Sequence, residues 1–173
     1  MDLRPAQPAD IAPLAALARQ TYADAFGHTY ELAEDLAAHL DAELSEAAVA
    51  VWLAEDFVTL AVADGRIVGF TQFGPTPEWS YGGHPKPGDA ALHRIYVAED
   101  QRGLGLGGIL LRQALEVMEA EAGDIYLDVW EGNSGAQRLY ARHRFVAVDR
   151  VKLKTASGAS AGYDIVMVRR GEA

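Results

Sequence analysis

Cysteine is absent from this chain of 173 residues, which excludes disulfides, thiolate metal sites and a cysteine nucleophile. No stretch approaches the ~18 consecutive apolar residues of a membrane span. The opening MDLRPAQPAD has neither the basic start nor the apolar middle of an export signal. The expectation is a cytoplasmic protein with no membrane partner. Basic charge is scarce as well. Lys and Arg number 15 against 25 Asp and Glu, a formal charge of -10, and a field of that sign repels nucleic acid and attracts cations. Linkers, low-complexity tracts and internal repeats are missing too. With half its residues hydrophobic, the chain reads as one globular domain over residues 1–173.

What is present is an alternation of helical and extended patterns. A short edge strand closed by Pro5 and Pro8 opens the chain. Asp10 stands as a helix cap, and Ile11, Leu14, Leu17 and Ala18 fall on one helical face over residues 11–26. Two further helical tracts follow, over residues 31–44 and from Ser45 onward. At Phe57 the period shifts to that of strands, and FVTLAVADGRIVGFTQFG reads as a hairpin turning at Asp64 and Gly65. Residues 75–89 hold four of the seven prolines and read as a surface loop of the kind that borders sites. Beyond it come a strand (91–97), a helix (105–123), a strand (124–130), a helix capped by Asn133, and two strands around TASGASAG. This succession predicts a mixed α/β layer structure.

The chemical signal is concentrated in RIYVAEDQRGLGLGGILL. Glycines let backbone N–H groups approach an anion, and a helix N-terminus adds its positive dipole end. Gly103, Gly105, Gly107 and Gly108 come immediately before or within the first turn of a helix whose Leu106, Leu110, Ala114, Val117 and Met118 recur at helical spacing. An anion site at residues 102–108 is the natural use. Gly103, Gly105 and Gly108 also satisfy the dinucleotide-binding spacing, with Asp128 downstream. That fingerprint requires its glycines directly after the strand in an extended βαβαβ array, which this chain lacks. A nucleotide P-loop needs Gly-Lys followed by Ser or Thr, and the chain has none.

The same stretch resembles the acyl-CoA signature R/Q-x-x-G-x-G/A of the GNAT superfamily of N-acetyltransferases, with Arg102, Gly105 and Gly107 in its places. LDVWEGNSGAQRLYARHRF is similar to that family's next motif, a strand, an Asn-capped helix and Leu-Tyr before Gly-Phe. Here Arg144 stands where the family usually has glycine. LHRIYV, VWEGN, YDIVMV and FGHTYELAEDLAAHL look most like the bacterial spermidine/spermine acetyltransferases of the PaiA type. The resemblance implies a GNAT fold, a mixed and mostly antiparallel sheet flanked by helices, with acetyl-CoA as cosubstrate. It implies a diphosphate held by Arg102, Gly103, Leu104, Gly105, Leu106, Gly107 and Gly108. Ile95 and Val97 would offer backbone contacts where two strands splay, and the Val97 amide would receive the oxyanion.

Acyl transfer to an amine must first produce a neutral amine, because a primary amine of pKa about 10.4 is almost wholly protonated at pH 7. A thiol of pKa about 8.5 leaves more easily, so a general acid contributes a modest factor. Tyr140 is the candidate acid. It shares a helical face with Ala136, Leu139 and His143, and the resemblance gives the tyrosine of Leu-Tyr the same role. For the base, related enzymes often carry an acidic residue along the strand where Ala91 and His93 occur here. Alternation puts Ala91, His93, Ile95 and Val97 on one face, and His93 is the candidate, with His28, Glu131 or a water chain as alternatives. Asn133 either caps its helix, touches the pantetheine arm, or does both. Trp79, Tyr81 and Trp130 are candidates to line an acceptor groove. The partner implied is a small-molecule primary amine, with a polyamine leading. An amino acid, an antibiotic or a protein N-terminus is the enzymatic alternative, and a non-catalytic acyl-CoA sensor the alternative of another class. Monomer and homodimer both stay open.

Overall fold

A computed structural model of the chain describes residues 1–76 and 81–171. Seven strands run through them: β1 (Asp2–Pro5), β2 (Phe57–Ala63), β3 (Arg66–Pro75), β4 (Ala90–Val97), β5 (Ile125–Trp130), β6 (Val146–Lys154) and β7 (Ser160–Arg169). They form one sheet in the order β1-β2-β3-β4-β5-β7-β6. Every neighbouring pair is antiparallel except β4 and β5. The helices are α1 (Ile11–Phe26), α2 (Ala33–Glu43), α3 (Glu46–Glu55), α4 (Leu106–Met118) and α5 (Ser134–Arg142). None is long and apolar enough to cross a membrane among the described residues.

Side-chain alternation divides the sheet into two packed faces. Phe73, Leu92, Leu127 and Met167 meet Leu111 and Leu115 of α4 and Tyr140 of α5. Leu60 and Phe70 meet Leu14 and Ala18 of α1 and Val49 and Trp52 of α3 on the other side. Each fully buried large side chain among these contributes about 1.5–3 kcal/mol, so the two faces hold the layers together comparably. The hairpin turns at Asp64 and Gly65, whose φ values of 51° and 74° are those of a primed turn, the one that matches strand twist.

Three details depart from the sequence reading. Helix α4 ends at Met118, not Gly123; the amides of Glu121 and Ala122 fold back onto the Met118 carbonyl at 3.2 and 2.8 Å, and Gly123 donates to Gly88 at 2.9 Å. The chain must turn there to enter β5. Val117 is exposed, while Leu111 and Leu115 take the core positions beside Leu110 and Ala114. Asp10 precedes α1 but makes no side-chain cap. Its carboxylate instead accepts two bonds of 2.7 Å from the Arg4 guanidinium and one of 2.8 Å from the Gln7 amide, since a fork-shaped cation outcompetes a neutral amide.

That cluster ties β1 to the start of α1 and sets a pH dependence. The Arg4 hydrogen bond is the largest cause holding the Asp10 carboxyl below the usual carboxylate range. A lowered folded-state value contributes stability that is complete above the unfolded pKa of about 3.9 and is lost as pH falls through the folded one. Asp10→Ala is expected to cost about 1–3 kcal/mol at pH 7. In thermal melts the gap from wild type should narrow as pH drops below the carboxylate range.

Candidate active site

The parallel strands β4 and β5 pair only at Ala90 with Ile125 and Ala91 with Tyr126. Beyond that point β4 stays with β3 as far as Val97, and β5 stays with β7 as far as Trp130. A wedge therefore opens between them. The Ala98 amide donates to the Val68 carbonyl of β3 at 2.9 Å. Because N–H directions alternate along a strand, the amide of Val97 faces the opposite edge, toward the wedge, and that of Ile95 does likewise.

Helix α5 delivers Tyr140 to this opening. Asn133 Oδ1 accepts from the Ala136 amide at 3.1 Å and caps the helix. Tyr140 packs against Phe145 with ring centroids 5.9 Å apart, and only 6% of the residue is exposed. Its hydroxyl has no hydrogen-bond partner among the described residues. Burial first, then Tyr96 and Asp128, push its pKa up, so the phenol keeps its proton throughout the neutral range. Arg144 lies just past this helix with φ 67°. The left-handed conformation that glycine adopts freely is thus kept by arginine, at a cost of about 1–2 kcal/mol. The helix ends as it would with glycine, the Phe145 amide reaching the Tyr140 carbonyl at 3.1 Å.

On the α4 side of the wedge lies the glycine loop. Gly103 and Gly105 have φ values of 78° and 84°, and Gly105 is the residue that caps α4. Among the described residues, none of the amides of residues 103–107 makes a hydrogen bond of ordinary geometry to a backbone or side-chain acceptor. Leu106 is buried and anchors the loop, whereas Leu104 is exposed. A Cβ on Gly107 would lie 3.7 Å from Leu139 of α5, so the second helix crosses close to the first turn of α4. Arg102 donates from Nε to the Val97 carbonyl at 3.2 Å. Free amides, a helix N-terminus and an arginine at its edge make a cradle that fits a diphosphate.

The opposite sheet face carries the features that the sequence reading missed. Asp128 pairs across β5 and β7 with Val166, and Trp130 with Asp164. Cross-strand partners share a face, so Asp128, Trp130 and Asp164 all project to the side of α1 and α2. Trp130 meets Phe26 at 6.2 Å and His28 at 5.5 Å, both edge-on. A Cβ on Gly132 would lie 2.2 Å from that indole, so only glycine lets the ring fold down there. Tyr22 and Tyr30 share a hydroxyl contact of 2.7 Å. Tyr81 stands 6.0 Å from Tyr126 at the other end. Asp128 is exposed to solvent on this face, and desolvation by the protein around it is the main cause raising its pKa. The Asp164 carboxyl is pushed up to about 7 by burial, then by Asp128 and Glu131. Tyr81 and Trp130 thus stand at opposite ends of β5, beside Tyr126 and beside Phe26 and His28, and Trp79 lies outside the described residues.

Alternation fails at His93. Gln72 pairs with Arg94 and Phe73 with Leu92, so His93 is the extra residue of a bulge. The insertion moves Ala91 and His93 to the side of Gln72 and Arg94, while Ile95 and Val97 face α4, contrary to the single face expected of the four. His93 Nε2 lies 3.8 Å from Asp56 Oδ1, and burial is the main cause lowering its pKa. Arg94 is engaged by Gln72 at 2.7 Å and Glu43 at 3.1 Å, and stacks 4.5 Å over Trp52. Of the alternative bases, His28 packs on Trp130, and Glu131 accepts two bonds from Arg150 at 3.2 and 2.6 Å.

A splayed parallel pair with a glycine cradle at one helix start defines an acyltransferase architecture, and the comparisons agree. The model of the acetyltransferase (GNAT) family matches residues 19–145, and the chain belongs to that family, whose acetyl donor is acetyl-CoA. It is 34% identical over 84 residues to the spermine/spermidine N(1)-acetyltransferase of Bacillus subtilis strain 168, covering 47% of this chain and 54% of that protein. The chain thus spans about half the length of the curated relatives it matches. In fold it is similar to the PaiA N-acetyltransferase of Thermoplasma acidophilum in complex with coenzyme A, with TM-score 0.76, 18% identity and 98% of each chain covered. It is also similar to the ribosomal-protein-alanine N-acetyltransferase of Brucella melitensis, with TM-score 0.68, 21% identity and 98% and 99% covered.

Proposed function

We propose that this acetyltransferase acts on a primary amine of a small polycation of the spermidine or spermine class, by direct attack on the thioester in a ternary complex. The observation that carries this reading is the face of β5 and β7 on the side of α1. It gathers two carboxyl groups, Asp128 and Asp164, with the aromatic rings of Trp130, Tyr22 and Tyr81, a combination suited to an alkylammonium chain. The half-length similarity to spermine/spermidine acetyltransferases and the net charge of -10 support the same class. In this reading the amides of residues 102–108 hold the diphosphate. Asn133, Ile95 and Val97 meet the pantetheine arm, the Val97 amide receives the developing oxyanion, and Tyr140 protonates the departing sulfur. The absence of cysteine agrees with transfer without a thioester on the enzyme.

The test is release of free thiol from acetyl-CoA across a panel of spermidine, spermine, a simple monoamine, amino acids, an aminoglycoside and peptides with free N-termini. Polyamines should give the highest kcat/KM. Preference for a peptide or an aminoglycoside would replace the acceptor class. Binding of acetyl-CoA without thiol release for any amine would support a sensor instead.

A further inference from the structure

An acetyltransferase that uses a protonated amine needs a group to take its proton, and β4 offers no carboxylate where Ala91 and His93 stand. The wedge has two sides, however, and β5 is the other. Asp128 follows the last parallel pair, Ala91 with Tyr126, by two residues on the same face as Tyr126. It is therefore the first outward side chain of β5 beyond the point where the strands part. Across the ladder, Asp128 with Val166 and Trp130 with Asp164 make the two aspartates diagonal neighbours on one face, about 7–8 Å apart. Tyr140 opens on the same gap. The residue is more than nine-tenths buried, its hydroxyl has no protein partner among the described residues yet is not sealed from solvent, and the groups that act on it are Tyr96 and Asp128. An amine passing from the β5–β7 face toward that hydroxyl would meet Asp128.

We infer that Asp128, flanked by Asp164, binds the reacting ammonium of the acceptor and takes its proton. This inference rests on the polycation reading above and deepens it by naming the proton acceptor. The proton balance closes. R–NH3+ gives one proton to the Asp128 carboxylate, and the neutral amine attacks the thioester carbon. The C–N bond forms and the C–S bond breaks, with the Tyr140 phenol giving its proton to sulfur. The second proton lost by nitrogen restores the phenol, and Asp128 releases its own to solvent. One amide, one free thiol and one proton result. The charged and titratable groups facing Asp128 are Asp164 on β7, Arg94 and Tyr96 on β4, Tyr140 on α5, and Tyr81 beyond β3. Desolvation raises its pKa from the usual carboxylate value, opposed by its own backbone amide and by Arg94, which favour the carboxylate, and a raised pKa suits a base that must both accept and release.

The test is the pH profile of kcat/KM for spermidine in wild type, Asp128→Asn, Asp164→Asn and His93→Ala, with melts and acetyl-CoA titrations as controls. Asp128→Asn should keep its melting temperature and acetyl-CoA affinity but lose on the order of a hundred- to a thousandfold in kcat/KM at pH 7. The loss should shrink as pH approaches the amine's own pKa. It should also be small for a fluorinated ethylamine, which is largely neutral at pH 7. In Asp164→Asn the acid limb should stay close to that of wild type, because a carboxyl pushed up to about 7 is already largely protonated there. A loss of constant size at every pH and for both amines would reduce Asp128 to a binding residue and overturn the inference. So would an acid limb that vanishes in His93→Ala and persists in Asp128→Asn. If Asp128→Asn unfolds, Asp128→Ser carries the same test, with partial rescue by added acetate expected. Wild type that turns over peptides but no polyamine would sink the acceptor class, and Asp128→Asn on that peptide would still decide the proton acceptor.

Discussion

Tyr140→Phe is expected to lower turnover on the order of ten- to a thousandfold while leaving acetyl-CoA affinity nearly unchanged. The substitution removes one oxygen and preserves the ring that packs on Phe145, so the core cost is small. What is lost is a phenol kept protonated by its burial. In the proposed acid role such a group would give nothing to ground-state binding and would act only as sulfur takes on charge. The modest end of the range applies if water reaches the sulfur, because a thiolate is a tolerable leaving group. Stopped-time thiol assays at saturating donor measure kcat, and calorimetry with acetyl-CoA measures affinity. An unchanged kcat would remove the acid role. Equal losses in affinity and turnover would mean that the ring orientation, not the proton, matters.

Gly105→Val is expected to weaken acetyl-CoA binding by ten- to a hundredfold, about 1.4–2.8 kcal/mol. Gly105 holds φ at 84°, where a β-branched residue is most strained. No heavy atom lies within 4 Å of a Cβ built there, so the penalty comes from the backbone and from crowding of the ligand, not from a clash inside the protein. Gly105→Asn, which tolerates the left-handed region better, should lose less than the valine variant. S-acetylpantetheine lacks the diphosphate, and its slower reaction should be equally fast in wild type and variant. If both donors lose equally, the loop serves the fold and does not hold the diphosphate.

Much of the architecture was legible in the sequence. The Asp64–Gly65 hairpin, the glycine loop opening α4 and the Asn133 cap of α5 are local devices, set by φ preferences and short hydrogen bonds within a few residues. What stayed hidden depends on pairing between distant segments. The bulge at His93 arises because β3 and β4 must stay in register at both ends, and it reverses the faces of the residues on either side. Asp128 and Asp164 come together only through the β5–β7 ladder. Their one sequence signal is an acidic residue inside each of two apolar runs, LDVW and YDIV, which period-two reasoning flags only once the pairing of the two strands is known. The end of α4 at Met118 was set by the contact of Gly123 with Gly88, again a long-range event.

The gap between β4 and β5 makes the sheet a partition with a slit in it. Under the proposed mechanism donor and acceptor would approach from opposite rooms and touch only through that opening, so neither would have to leave for the other to arrive. Their products would retreat the way they came, with no acyl cargo carried by the protein itself.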